Sequence, residues 1–216
     1  MRRGTFGAIV GPPMVTWGRI AVVIAVAVYA LLGLGAYGAG LWWRHGSAFV
    51  HPSPWLPLEP GVREVYSLVL GLAFGTLVVV STPAMLRKFA WARALHAELR
   101  PVAAAMTRPS IIALALASAV GEELFFRGLL EPWLGLVPQA LVFGIAHQLR
   151  GPSRWVWVVW AAVTGLLLGA VFHLSGSLAG PMVAHALING LNLDYMRRHD
   201  PQSPRRSLGG LLGQRS

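Results

Sequence analysis

Three ionisable side chains, Glu122, Glu123 and Arg127, stand within six consecutive positions of an apolar run over residues 111–130. An ionised group near the centre of a bilayer costs about 2.5–3.5 kcal/mol on insertion scales. Facing lipid, these groups would lose that energy outright, so they must face protein or a wet cavity, which by default marks a functional site. Successive helical residues turn by about 100°. Glu123 and Arg127, four apart, share a face and can pair, with the glutamate on the favourable N-terminal side. Glu122 lies about 140° around the helix from Arg127 and is left as a carboxylate available for chemistry. The competing reading is that all three groups pair with other helices and only hold a bundle together.

The surrounding chain says what kind of bundle. Of its 216 residues, 55% are hydrophobic and 12% charged, against about 25% charged in an ordinary soluble domain. The expected fold is all-α, a polytopic transmembrane helix bundle with about six spans and one amphipathic interfacial helix. The absence of cysteine excludes disulfides, thiolate metal sites and a cysteine nucleophile. The net charge of +10 is assigned to loops facing the cytoplasm rather than to nucleic-acid binding. The arginine and alanine bias points to a GC-rich bacterial genome, hence to an inner membrane.

Spans are expected at 20–43, 65–82, 110–130, 134–149, 155–174 and 178–195, the fourth being short for a crossing. The first is too long for a signal-peptide core. The 44–63 loop is rich in proline, and its His45 and His51 read as solvated. Residues 83–108, basic and scattered with Leu86, Phe89, Trp91, Leu95 and Leu99, read as a surface helix anchored by Trp91. Pro132 is expected to end the third span. The basic tail, 197–216, is expected to be disordered. Of the 18 basic residues, 15 fall on the side of the two termini and only Arg44 and Arg63 on the other, with Arg127 inside the membrane. That asymmetry places both termini in the cytoplasm.

Four polar side chains remain in three apolar segments: Glu122, His147, His185 and Asn189. His185 and Asn189 are four apart and form one polar stripe, and His147 shares a face with Phe143. His173, a lone intramembrane histidine, is given no role. Peptide hydrolysis would use such a set. Glu122 takes a proton from water, and His147 orients that water or shares the proton. His185 and Asn189 donate to the developing oxyanion. A second account adds a divalent metal, zinc, on Glu122, His147 and His185, with the water at the open position. There is no H-E-x-x-H helix. Asp194 and Asp200 lie at or beyond the last span, so no intramembrane aspartyl dyad exists. Ser175 and Ser177 sit at a span boundary, and a Ser–His hydrolase would leave Glu122 and Asn189 unexplained.

In that order, Glu122-Glu123-…-Arg127, Phe143-…-His147 and His185-…-Asn189 resemble the motifs of the CAAX protease and bacteriocin-processing family, also called the type II CAAX prenyl endopeptidase or Abi family. Gly176-Ser177-Leu178 and Pro181 add to the likeness, which covers about residues 121–191. The resemblance implies an intramembrane endopeptidase whose core occupies 110–196, between a variable 1–109 region and the 197–216 tail. It implies that Glu122 and His147 activate water, that His185 and Asn189 form the oxyanion hole, and that Glu123, Arg127 and Phe143 support them. The family is often labelled metalloprotease, and a metal-free glutamate mechanism has also been argued for its eukaryotic members; the favoured expectation here needs no cofactor. Its substrate would be a membrane-associated or lipidated peptide or membrane protein. A non-catalytic immunity or scaffold protein and a proton-coupled transporter stay open as rivals.

Overall fold

The computed structural model describes residues 14–200. The basic N-terminal residues before 14 and the tail from 201, expected to be disordered, lie outside the described residues. Eight helical elements follow in order: α1 Met14–Arg44, α2 Val62–Lys88, α3 Ala90–Ala104, α4 Arg108–Glu122, α5 Glu131–Leu134, α6 Leu136–Ala146, α7 Arg154–Ser175 and α8 Ala179–Arg198. Between α4 and α5 the backbone widens into a π-helical stretch, Glu123–Leu130. No strand occurs among the described residues; Val50 and Ser177 form one isolated antiparallel bridge. The protein is an all-helical, polytopic bundle, as the apolar segments require.

Among the described residues, four helices are long and apolar enough to cross a membrane: Ile20–Trp43, Val62–Lys88, Arg108–Leu134 and Arg154–Ser175. Their outer faces carry exposed Leu31, Leu34, Val69, Val80, Leu116 and Val159, apolar surface that only a lipid environment stabilises. The other two expected spans differ. α6 has 11 residues, about 16 Å at 1.5 Å per residue, roughly half the hydrocarbon depth. α8 has 20 residues and therefore the length, but it carries His185, Asn189, Asn192 and Asp194 and packs on α2, α3, α4 and α7.

Three boundaries move. Pro132 does not end the third span: it falls in the first turn of α5, where a missing N–H is tolerated. The helix stops at Gly135, whose φ of 89° suits glycine. The second span runs on through Pro83 to Lys88, so the amphipathic surface helix is the shorter α3, which buries Ala92, Leu95, His96 and Ala103. The last helix likewise runs to Arg198, where Arg197 and Arg198 both pair with Asp194.

α4 is the central helix, packed on α1 at one side and α8 at the other, while α2 covers α8 and α6 lies along α7. Small residues allow these approaches. A Cβ on Gly71 of α2 would lie 2.1 Å from the Gly180 carbonyl oxygen of α8, and one on Gly121 would lie 2.3 Å from the Tyr29 carbonyl oxygen of α1.

Candidate active site

Glu122 closes α4 and Glu123 opens the π-helical stretch, so the two carboxylates leave the helix just where its turn widens. Single π turns inside α-helices recur at functional sites. In this wider turn, residues four apart still meet: Arg127 Nη1 donates to Glu123 Oε1 at 2.9 Å, and both side chains are wholly buried. This is the ion pair that the spacing predicts. Arg127 Nη2 donates to the Gly165 carbonyl of α7 at 3.0 Å, and the guanidinium lies 4.2 Å over the Phe143 ring. A Cβ on Gly165 would sit 2.8 Å from Phe143 and 3.2 Å from Arg127, so glycine makes the room.

Glu123 does more than neutralise Arg127. Its Oε1 also accepts from His185 Nδ1 of α8 at 2.7 Å. A carboxylate oxygen in contact with an arginine accepts, so the proton of a neutral His185 sits on Nδ1 and its Nε2 carries the lone pair. His147 follows the last turn of α6, and its Nδ1 lies 2.8 Å from the Phe143 carbonyl. A carbonyl can only accept, so His147 too presents Nε2 as an acceptor. Both Nε2 atoms face one oxygen, Glu122 Oε2, at 3.5 Å from His147 and 3.9 Å from His185. That oxygen is buried and accepts no hydrogen bond from a described residue. Glu122, His147 and His185 thus converge, from α4, the end of α6 and α8.

Asn189 stands one turn beyond His185 on α8, and its Nδ2 donates to Ser118 Oγ of α4 at 3.1 Å, one turn before Glu122. The amide has a second hydrogen that Ser118 does not use. Phe143 gains its supporting place from three contacts: its carbonyl to His147, its ring beneath Arg127, and an edge-on contact with Phe126 at 4.9 Å. Ser175 and Ser177 are structural: Ser175 donates to the Val171 carbonyl at 2.6 Å, and the Ser177 carbonyl accepts from Ser67 at 2.7 Å.

Zinc would need its three ligand atoms mutually close. The His147–Glu122 pair, at 3.5 Å, suits a shared ion with bonds of about 2.0–2.2 Å, and the His185–Glu122 pair, at 3.9 Å, is slightly wide for one. The third does not: Glu122, His147 and His185 do not form a group whose ligand atoms all lie within 4.8 Å of one another.

Sequence reasoning missed residues whose types cost little in a membrane. Tyr29 of α1 sets its hydroxyl beside the Glu122 carboxylate, and Ser118 holds Asn189. Neither breaks an apolar run. Tyr29, Gly33, Tyr37, Leu116, Val120 and Gly121 line an apolar groove of about 780 Å³ between α1 and α4, and its wall continues past Glu122 to Leu124. His51 is also corrected: His45 is exposed as expected, but His51 is 3% exposed, its ring 5.0 Å from Phe172 and 4.1 Å from His173. The loop folds it inward because backbone hydrogen bonds tie residues 51–56 to the end of α7, with His51 N to the Gly176 carbonyl at 3.0 Å and Trp55 N to the His173 carbonyl at 2.8 Å.

Comparison with known proteins agrees with this core. Residues 104–191 match the model of the type II CAAX prenyl endopeptidase Rce1-like family. The chain is also 34% identical over 99 residues to "Uncharacterized protein YpbD" of Bacillus subtilis (strain 168), a match covering 43% of this chain and 52% of that protein. The chain thus spans about half the length of the curated relative it matches. No solved structure matches. The matched segment begins just before α4 and ends in α8, enclosing every residue of the Glu122, His147 and His185 cluster. Over residues 104–191 this integral membrane protein is similar to the type II CAAX prenyl endopeptidase Rce1-like family.

Proposed function

We propose that the chain is an intramembrane endopeptidase that hydrolyses peptide bonds in membrane-associated or lipidated peptides and proteins. The observation that carries this reading is the convergence of His147 and His185, each fixed by a hydrogen bond at Nδ1, on the buried Oε2 of Glu122. Water placed among them loses a proton to the Glu122–His147 pair as its oxygen bonds to the scissile carbonyl carbon. The oxyanion formed is met by Asn189 and by the protonated form of His185, held at Nδ1 by Glu123; one such donor is worth about 10²–10³ in rate. The held proton then passes to the leaving amine as the C–N bond breaks. Arg127 pairs with Glu123, and the Phe143 carbonyl fixes the tautomer of His147.

The ligand-atom spacing favours the metal-free account. Zinc on Glu122, His147 and His185 would supply a Lewis acid, and inactivation by chelators reversed by zinc would establish it. The apolar groove between α1 and α4 supports lateral access for an apolar or lipid-bearing chain. The charge asymmetry supports cytoplasmic termini in a bacterial inner membrane, and no feature calls for nucleic acid.

Glu122→Gln is nearly isosteric and tests the reading. The variant should insert and purify as the wild type does, while cleavage falls by about a thousandfold or more. Membrane proteomes of cells carrying each form should differ in uncut substrate. Retained cleavage in Glu122→Gln would overturn the enzyme and leave a scaffold or immunity protein.

A further inference from the structure

A second group of chemistry-bearing side chains meets in this bundle, apart from the Glu122 cluster. His51 comes from the 45–61 loop, Glu131 from the start of α5 and His173 from the last turn of α7. Glu131 Oε1 lies 3.4 Å from His173 Nδ1. The ligand-capable atoms of all three residues lie within 4.8 Å of one another, and no other such group occurs among the described residues. Glu131 is 1% exposed, and neither of its oxygens, nor His173 Nδ1, has a hydrogen-bond partner among the described residues. A buried carboxylate of this kind needs a counter-charge. Arg127 already serves Glu123 and the Gly165 carbonyl.

From this we infer that His51, Glu131 and His173 form a binding site for one divalent transition-metal ion, zinc by preference. Two imidazoles and a carboxylate are a donor set that zinc accepts, with a fourth position left for solvent. Bonds of about 2.0–2.2 Å in a tetrahedron hold ligand atoms about 3.3–3.6 Å apart. The Glu131–His173 pair at 3.4 Å has that spacing as it stands. His51, within 4.8 Å of the other two, needs to close by no more than about an ångström, from a loop rather than from a helix. The Ser53 amide donates to His51 Nδ1 at 3.1 Å, and coordination replaces that hydrogen bond or sets the ring in its other tautomer. His173 is 21% exposed along its side chain, which leaves a route for the ion. Surrounding groups brace the ligands: the Trp55 ring lies 4.7 Å from His173, and the Phe172 ring lies 5.0 Å from His51.

The bound ion would fasten three elements that share no covalent cross-link: the loop after α1, the start of α5 and the end of α7. It would act as a staple in a chain without cysteine. It would also mislead: zinc copurifying with the protein would belong here rather than to Glu122. The inference stands whether or not the chain is a protease.

The experiment is metal analysis of detergent-purified protein carrying a histidine-free tag, for the wild type, Glu122→Gln, Glu131→Gln and His173→Asn. The expected result is about one zinc per chain in the wild type and in Glu122→Gln, and less than about a tenth of that in Glu131→Gln and His173→Asn. Thermal unfolding of chelator-treated protein gives a second readout that needs no copurified metal. Zinc at a hundredfold excess over its Kd should raise the wild-type midpoint by about 5 °C or more, and should leave that of Glu131→Gln unmoved. Loss of zinc in Glu122→Gln, retention in Glu131→Gln, or absence of both copurified zinc and the thermal shift in the wild type overturns the inference.

Discussion

Glu122 and Glu123 are neighbours in sequence with separate duties. Glu123 is wholly buried between Arg127 and His185, whereas Glu122 faces two imidazole acceptors and the Tyr29 hydroxyl. Their glutamine variants should therefore fail differently. Glu122→Gln loses turnover with stability kept. Glu123→Gln strands a buried guanidinium and should cost about 3–5 kcal/mol of stability, read as a lowered unfolding midpoint in the same detergent. Tyr29→Phe removes the hydroxyl beside Glu122 and should slow cleavage by about 10–100-fold with an unchanged midpoint. The residues legible in the sequence are those whose charge or polarity is costly in lipid: Glu122, Glu123, Arg127, His147, His185 and Asn189. Tyr29 and Ser118 cost little there and so left no trace. His51 was concealed by its proline-rich loop, where a histidine gives no sign of which way it will turn, and His173 looked isolated because its partners lie on other elements.

Among the elements, helix existence followed from hydrophobic run length, and boundaries did not. Pro83 and Pro132 look like terminators, yet α2 passes through one and α5 accommodates the other in its first turn. The widening over Glu123–Leu130 has no sequence signature of its own; its ends depend on which neighbours bond the carbonyls. The pairing of helices is written in glycines more than in apolar residues, because lipid competes for apolar surface but not for backbone contact. Gly71→Ala should therefore disrupt the α2–α8 pair, since its Cβ would lie 2.1 Å from the Gly180 oxygen. A loss of about 3 kcal/mol or more is expected, seen as a broadened or aggregated profile on size-exclusion chromatography. Gly38→Ala in α1, where nothing lies within 4 Å of the added carbon, should behave as the wild type.

For the whole molecule, the orientation in the bilayer is the next thing to measure, and the cysteine-free chain suits single-cysteine labelling. Gln148→Cys and Ser47→Cys place exposed thiols in loops expected on opposite faces. A membrane-impermeant maleimide should label Ser47→Cys in intact cells and Gln148→Cys only after permeabilisation; the reverse pattern would invert the topology. The region before residue 104, outside the family match, is not an appendage, for α1 supplies Tyr29 and α2 encloses α8. The brevity of α6 has its own effect on the surrounding lipid. A helix of 11 residues cannot fill the hydrocarbon layer at its flank, so acyl chains there must bend inward and thin the layer around it. Such a dimple would bring headgroups and solvent down toward His147. Reconstituted turnover should accordingly be faster in short-chain than in long-chain phosphatidylcholine vesicles.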